Sequence, residues 1–471
     1  MLFLFVACAG RQSGTPEEQP SFAGAGGQDE ASNAADGGPA NPGGAAGVQS
    51  DVGGRGGGIT ASGGAVAATG GAGASAPPPG GASGGGGACP PHSSRGHLGK
   101  YRDKFMWLGS GETFTPAFVM LGDNDGTDLS KITQSSLDAF LTEMFDGHGF
   151  NGVHVVVLGQ WFHIGNYTVS ASDRTPDTRT FAALKMILQA VHAKGGATHL
   201  WLWGDEQRGQ TSRSLAGGAM GPEEKALLDK IYSELNEIPG WSMGYGFDLH
   251  EWVDADLLKR WHDYMHAKPK FMHLLGARAQ KLEVNQIYGG LDYSSYENHK
   301  PDYALFRRLM QHQPEKPSFS EDRFRVRGRD KDLTAEETRV TLWLASLAGG
   351  VAGIYGYLGS ETGTSRAYPN KAALRTYAEF WRGRFFKDMV PDNTLVTGGF
   401  ALKQSDTHAI YFAQATKQVQ YSVVGAAKQV IAVDATTPYQ EIDLGVKEPG
   451  AYIFDAPRMS DWALAAGRFC R

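Results

Sequence analysis

Short apolar runs alternate with helix-like segments from about residue 115 to residue 386, and this alternation constrains the fold more than any other feature. Runs such as 152–158 predict strands, whereas Ile132, Leu137, Leu141 and Met144 recur at helical spacing. Alternation of this kind is typical of parallel β/α units. Eight units fit a closed barrel. The competing open, doubly wound sheet is disfavoured because no Gly-rich phosphate loop follows the first strand.

The predicted fold class is therefore α/β, a (β/α)₈ TIM barrel, with boundaries that the apolar runs and helix signals suggest. The predicted strands are 117–122, 152–158, 199–203, 241–247, 271–275, either 284–288 or 293–296, 317–320 and 351–356. The predicted helices are 130–146, 181–194, 222 to just before Pro239, 256–267, 302–312, one opened by the capping box 334–337, and 371–386.

The composition changes at both ends of this pattern. Residues from about 10 to 87 are dominated by Gly, Ala, Ser and Pro and cannot bury enough apolar surface to fold. After Pro391, short runs at 400–404, 408–412, 419–424, 430–433 and 451–454 predict a small antiparallel β-sandwich. Four segments follow: a signal-peptide remnant (1–8), a disordered linker (9–94), the barrel (95–391) and the sandwich (392–471).

The first residues resemble the end of a bacterial lipoprotein signal peptide. The run Phe5-Val-Ala-Cys8 is similar to a lipobox, which makes Cys8 the expected lipidation site, although the apolar run is short. Either the start codon lies further upstream or this is not a signal. If it is, we expect an exported protein at the bacterial cell surface or in the periplasm, an outer-membrane lipoprotein. Cys89 and Cys470 would then form a disulfide, the alternative being two free thiols.

Charge and hydropathy limit the partners. The net charge is −6 and no basic stripe is interleaved with aromatic residues, so we expect no nucleic acid. No apolar stretch approaches the ~20 residues of a membrane span, which leaves the lipid at Cys8 as the expected membrane contact. We expect a monomer.

Two glutamates carry the prediction of function. Glu251 ends the run 244–251, Glu321 follows the run 316–320, and both runs are candidate barrel strands. The C-terminal ends of barrel strands meet at one face, where active sites lie. Two carboxylates at that face are the minimal apparatus for cleaving a glycosidic bond.

The same segments resemble clan A glycoside hydrolases, in which the acid/base follows the fourth strand and the nucleophile follows the seventh. The resemblance extends to bacterial glycosidase-like proteins with a C-terminal β domain that carries a collagen-binding label. It rests on 203–206, 246–252, 320–325 and 348–352 and spans about residues 100–390. It implies a retaining glycosidase, with Glu251 as acid/base and Glu321 as nucleophile.

The neighbouring residues suit these roles. Aromatic residues around Glu251 would raise its pKa and favour proton donation, whereas Arg323 and Arg325 would keep Glu321 ionised. The expected partner is a carbohydrate. Arginine forks match the oxygens of an acidic sugar, and the alternative is that the arginine run is an ordinary solvated face. Glu206 and Asp248 are the alternative candidates for the catalytic carboxylates. The remaining candidates for substrate binding lie near predicted strand ends; they are Asp123, Trp161, Trp203, Asp205, Glu206, Asp248, His250, Trp252, Tyr296 and Tyr355. Trp201 is expected in the core.

We expect no cofactor and no metal, because His163, His199, His250 and His273 lack a ligand spacing. The acidic loop 123–128 resembles a calcium loop, but a polar turn is favoured. Two alternatives stay open. The first is a glycan-binding lipoprotein without activity, favoured by His250 where the clan has Asn. The second is a purely structural surface protein, which predicts no carboxylate pair.

Overall fold

The computed structural model describes residues 95–121, 132–158, 178–203, 221–246, 254–279, 290–297, 302–324, 334–355 and 370–469. Residues 1–94, with the predicted signal, linker, Cys8 and Cys89, lie outside these ranges, as does Cys470. Residues 80–471 form one contact unit, which contains the barrel and the C-terminal sheet. Among the described helices, none is long and apolar enough to cross a membrane.

Eight parallel strands close into a barrel, which confirms the predicted fold class. In chain order they are β4 (Ala117–Met120), β5 (Gly152–Leu158), β6 (Ala197–Trp203), β7 (Trp241–Gly246), β8 (Leu275–Ala279), β9 (Tyr293–Glu297), β10 (Ser318–Phe324) and β11 (Ala352–Tyr355). Each pairs with its neighbour in sequence, and β11 pairs with β4 to close the ring. The open doubly wound sheet is thereby excluded.

Helices follow the strands on the outside of the barrel. They are α1 (Gln134–Leu141, continued by a π-helical turn, Thr142–Gly147), α2 (Thr178–Ala193), α3 (Pro222–Leu235), α4 (Ala255–His266), α5 (Tyr303–His312), α6 (Ala335–Leu347) and α7 (Lys371–Trp381). Side-chain caps begin several of them. Thr334 and Glu337 form the predicted capping box of α6, and Asp254 accepts from Leu257 N–H at the start of α4.

The structure corrects the predicted fifth strand and decides between the two places predicted for the sixth. The fifth barrel strand was predicted at 271–275, which is wrong, because β8 begins only at Leu275. His273 is buried, stacks on Trp241 with ring centroids 3.6 Å apart and contacts two backbone carbonyls, so the run before Leu275 packs beneath the sheet. The sixth strand occupies the second of its two predicted places.

Three short strands that the sequence pattern did not predict cover the N-terminal end of the barrel. They are β1 (Leu98–Tyr101), β2 (Lys104–Trp107) and β3 (Thr113–Phe114), paired antiparallel. Phe105 lies 6.2 Å from the rings of both Tyr293 and Phe319, whose strands belong to the barrel. Trp107 stacks on Phe114 at 5.1 Å. This small sheet therefore closes the base of the barrel with aromatic rings.

The C-terminal region is a six-stranded antiparallel sheet in the order β12-β13-β14-β17-β15-β16. The strands are β12 (Val390–Pro391), β13 (Phe400–Gln404), β14 (His408–Val423), β15 (Lys428–Asp434), β16 (Glu441–Lys447) and β17 (Gly450–Ala466). The runs predicted at 408–412 and 419–424 are one strand, not two. Phe454 and Trp462 lie eight residues apart in β17, yet their rings are 5.2 Å apart, so the strand folds back on itself. This folding gives the two layers of a sandwich.

One face of the sheet packs on the barrel helices. Alternate residues such as Ile410 and Phe412 join the barrel core, while Ala409 and Tyr411 join the second core inside the sandwich. Trp343 of α6 stacks on Phe412 at 5.0 Å. Every residue of α6 from Thr338 to Leu347 is buried, as expected for a helix enclosed between a barrel and a sheet.

An ion pair lies inside this contact. The Arg339 guanidinium of α6 is 1% exposed and donates to Asp461 of β17 at 2.5 Å and to Glu336. The other oxygen of Asp461 accepts from the N–H of Ala415 at 2.7 Å, where β14 bulges and Ala415 has a φ of 45°. Asp461 therefore fixes both the docked helix and the bulge that lets the strand fold over.

We predict that Asp461→Ala lowers the free energy of unfolding by about 3 kcal/mol, because it leaves a buried guanidinium without its buried partner. Asp455→Ala, at an exposed position of the same strand, is the matched control and should change it by less than about 0.5 kcal/mol. Urea denaturation of both variants measures the difference. Equal stability of the two variants would contradict the assigned role.

Candidate active site

Closure of the barrel brings eight strand ends to one rim, and the predicted site residues lie on or just after those ends. The segments outside the described residues between 122 and 369 all follow the C-terminal end of a barrel strand. They contain the predicted residues Asp123, Trp161, Asp205, Glu206, Asp248, His250, Glu251, Trp252 and Arg325, whose structure therefore lies outside the described residues. The structure describes the strands that lead to these positions.

The two predicted catalytic glutamates belong to the fourth and seventh barrel strands. Glu251 lies in the seven residues between the end of β7 at Gly246 and Asp254, the N-cap of α4. The backbone of Glu321 lies within β10, not after it as predicted, because the strand continues to Phe324. Its Cα partner on β9 is Glu297, a third glutamate that the prediction did not include. The side chains of Glu321 and Glu297 are outside the described part.

Four further candidates are placed by their backbone alone. Trp203 and Tyr355 are the last residues of β6 and β11, and Tyr296 and Arg323 lie near the ends of β9 and β10. Their side chains are outside the described part of the structure. Strand-end positions are where barrel enzymes carry residues that contact substrate.

Below the rim, a chain of hydrogen-bonded rings fills the barrel interior. His154 and His199 are joined through their Nδ1 atoms at 2.9 Å, and His199 Nε2 lies 2.7 Å from the Tyr293 hydroxyl. Burial lowers the pKa of His199 to about 3, so its ring is neutral. In a neutral ring one nitrogen donates and the other accepts, so His199 links His154 and Tyr293 through one donated and one accepted hydrogen bond. Phe319 and Phe118 pack against His199 at 4.5 and 5.8 Å.

The next interior layer holds an arginine that the sequence analysis missed. Trp201 is buried, as predicted, and its ring lies 4.1 Å from that of His154. The guanidinium of Arg278 on β8 is 6.0 Å from the centroid of Trp201 and only 1% of the residue is exposed. Arg278 escaped notice because the fifth strand was predicted four residues too early, which left it outside any strand. It is a permanent positive charge inside the barrel.

A buried carboxyl group lies behind the strand that leads to Glu251. Glu224, in the first turn of α3, accepts from the Tyr245 hydroxyl of β7 at 2.6 Å. Its second oxygen has no hydrogen-bond partner among the described residues, and the side chain is fully buried. Burial raises the pKa of Glu224 to about 7, while Tyr245 and Arg260 act against this shift. No sequence pattern predicts this burial, since a glutamate in the first turn of a helix usually faces solvent.

Two other features lie at the opposite, N-terminal end of the barrel. A cavity of about 220 Å³ is lined there by residues such as Trp107, Asn151, Tyr377 and Trp381. His262, His266 and Asp292 also converge there and form the one group of possible metal ligands within the described ranges. Neither feature adjoins the rim where the predicted substrate-binding residues lie.

The chain matches no protein-family profile and no curated protein sequence. Its structure is similar to a solved glycoside hydrolase, with a TM-score of 0.61 and 14% identity over 79% of this chain and 97% of that one. It is also similar to a glycoside hydrolase of family 5 from Bacteroides vulgatus, with a TM-score of 0.62 and 13% identity over 80% of this chain and 95% of that one. At these identities the likeness shows a shared fold, the one that the resemblance in the sequence implied.

We predict that His199→Gln reduces the loss of stability on acidification. The pKa of His199 is near 3 in the folded protein and about 6.5 in the unfolded chain. As pH falls between these values, this difference lowers the free energy of unfolding by up to about 1.4 kcal/mol per pH unit. Chemical denaturation at pH 6.5 and 5 should show a smaller loss in His199→Gln than in the wild type, with the surface variant His312→Gln as control. Equal losses in all three proteins would mean that His199 is charged in the folded protein.

Glu224→Gln should change the pH dependence of the free energy of unfolding in the direction opposite to that of His199→Gln. The pKa of Glu224 is near 7 in the folded protein and about 4.5 in the unfolded chain. As pH rises between these values, this difference lowers the free energy of unfolding by about 3 kcal/mol in total. The wild type should therefore lose more stability than Glu224→Gln between pH 4.5 and pH 8. Denaturation curves across this range measure the loss, with exposed Glu237→Gln as control. Parallel curves for wild type and Glu224→Gln would contradict the prediction.

Proposed function

We propose that this protein is a retaining glycoside hydrolase that acts on an extracellular, acidic poly- or oligosaccharide through two carboxylates. Glu251 is the acid/base and Glu321 is the nucleophile. The observation that carries the proposal is topological: in a closed (β/α)₈ barrel, the fourth strand leads to Glu251 and the seventh strand contains Glu321. The fold shared with solved glycoside hydrolases supports it.

The reaction requires one carboxyl group that is protonated and one that is ionised at the same pH. In the proposed double displacement, the Glu321 carboxylate attacks the anomeric carbon while Glu251 protonates the leaving oxygen. The glycosyl ester on Glu321 is then hydrolysed by a water molecule that Glu251 deprotonates. The mechanism needs the two groups about 5–5.5 Å apart.

Positive charge favours the ionised state proposed for Glu321. Arg278 is buried in the barrel, on the strand next to β9, and Arg323 lies two residues after Glu321 in β10. A nearby guanidinium lowers the pKa of a carboxyl group, as a nucleophile requires. Arg323 and Arg325 also supply the forked donors that recognise the carboxylate or sulfate of an acidic sugar.

A second candidate is a glycan-binding protein that uses the same rim without turnover. It is favoured by His250, which stands directly before Glu251 where clan A hydrolases commonly have Asn. In this case the aromatic side chains of the rim, such as Trp161 and Trp252, would stack on sugar rings. Binding of an oligosaccharide without cleavage distinguishes the two functions.

The test is a screen of the full chain against aryl glycosides and acidic plant and algal polysaccharides. We expect turnover in the wild type and a loss of at least about 10²-fold in both Glu251→Gln and Glu321→Gln, because each removes an acid, base or nucleophile. Asp256→Asn, at an exposed position of α4 just after the Glu251 segment, is the control and should keep wild-type activity.

Glu297→Gln tests a second position for the nucleophile, since Glu297 is the Cα partner of Glu321 on the neighbouring strand β9. Loss of activity in Glu297→Gln but not in Glu321→Gln would move the nucleophile to β9. Full activity in both Glu251→Gln and Glu321→Gln would contradict the proposed pair. Binding without turnover in every protein would favour the second candidate. For a cleaved substrate, proton NMR should show a first product anomer with the configuration of the substrate, and an inverted anomer would exclude retention.

A further inference from the structure

A possible metal site lies at the base of the barrel, away from the proposed catalytic rim. His262 and His266 are four residues apart on α4, so they share one face of that helix. Asp292 immediately precedes β9. The three side chains each offer one ligand atom, and these atoms lie within 4.8 Å of one another. All three residues are partly buried.

The distances suit a small divalent ion. His266 Nε2 lies 2.8 Å from Asp292 Oδ2, and His262 Nε2 lies 3.5 Å from the same oxygen. Ligand atoms at 2.0–2.1 Å from a tetrahedral zinc ion are about 3.3 Å apart. The two distances to Asp292 bracket this value, and the two imidazole ligand atoms lie within 4.8 Å of each other.

One buried nitrogen of this group lies unusually far from its polar partner. His262 Nε2 is buried, and among the described residues its polar contact is Asp292 Oδ2 at 3.5 Å, which is long for a hydrogen bond. Buried polar atoms usually have a partner at normal hydrogen-bond distance, so this long contact between an imidazole nitrogen and a carboxylate requires an explanation. A metal ion between these atoms would supply it.

The surroundings hold the three ligands in place. His262 Nδ1 lies 3.4 Å from Asp263 Oδ1, the arrangement by which a carboxylate orients a metal-binding imidazole. Asp292 accepts from the backbone N–H of Leu275 at 2.9 Å, and the His266 ring meets Phe271 edge to face at 5.3 Å. Lys316 is a nearby positive charge that acts on Asp292 and competes with a cation.

We propose that His262, His266 and Asp292 bind one zinc ion that ties the C-terminal end of α4 to the start of β9. Two imidazoles and one carboxylate are a zinc ligand set, with the fourth position open to water. The ion lies at the end of the barrel that carries stability in this fold, away from the proposed catalytic rim, so we expect it to act on stability although its fourth position is open. The sequence signal for this site is His262-x-x-x-His266 on the helix predicted at 256–267, which the expectation of no metal did not include.

The test uses the full chain with no affinity tag, stripped of metal and titrated with Zn²⁺ by calorimetry. We expect one equivalent to bind and to raise Tm by at least about 2 °C at saturation. Cobalt(II) should give the visible absorption bands of a four-coordinate site. Calcium, which prefers six to eight oxygen ligands, should do neither.

Variants locate the ion. His262→Ala is the decisive one, because its Nε2 makes only a long polar contact among the described residues and its loss should disturb the metal-free fold least. We expect His262→Ala, His266→Ala and Asp292→Asn to weaken zinc binding at least about tenfold and to remove the cobalt bands. His312→Ala, on α5, should bind as the wild type does. Circular dichroism in EDTA identifies any variant that fails to fold.

Two results would overturn the proposal. The first is a wild type that binds no zinc and whose Tm does not respond to it. The second is zinc binding of wild-type strength in a folded His262→Ala protein, which would place the ion elsewhere in the chain.

Discussion

The closed ring of eight parallel strands depends on filling its interior, and the hydrogen-bonded chain from His154 through His199 to Tyr293 does this with polar groups. The three residues belong to β5, β6 and β9, so the chain crosses the barrel from one side to the other. Each buried nitrogen must find a partner, which fixes the relative register of these strands more tightly than apolar packing alone. Phe118, Phe319 and Phe105 complete the layer. This closure brings the strand ends to one rim, among them β7, which precedes Glu251 in the chain, and β10, which contains Glu321.

The two ends of the barrel differ in what they carry. The C-terminal ends of the strands lead to the residues proposed for catalysis, while the N-terminal end is covered by β1–β3 and holds the histidine pair with Asp292. The sandwich packs against α5 and α6 through stacked rings and the Arg339–Asp461 ion pair, and Thr376 of α7 donates to the carbonyl of Thr437. It shares one core with the barrel. A pair of catalytic carboxylates at a fixed separation requires a scaffold of this kind, in which barrel and sandwich share one core.

The sequence was sufficient for the fold because hydrophobic periodicity reports burial directly. The strand at 152–158 and the capping box of α6 were predicted to the residue, since a parallel strand and a capped helix carry strong local signals. The fifth strand was misplaced because the run 271–274 is apolar for another reason, the stacking of His273 on Trp241 beneath the sheet. Because of that error, Arg278 was not predicted to lie in a barrel strand. Glu224 and the group at His262 were missed because their chemistry arises between segments distant in the chain, which periodicity does not report. The strands β1–β3 lack a strong period of their own and depend on the barrel base for burial.

The most direct test of the central claim is to trap the glycosyl-enzyme intermediate with an epoxide-based inactivator matched to the sugar that the protein cleaves. Intact mass spectrometry gives the stoichiometry, and peptide mapping gives the labelled residue. The account predicts one label per chain, on Glu321, at a rate that a competing substrate slows. A label on another carboxylate, such as Glu297 or Glu251, would contradict the assignment of the nucleophile. A protein that turns over its substrate with inversion and takes up no label would contradict the retaining mechanism itself.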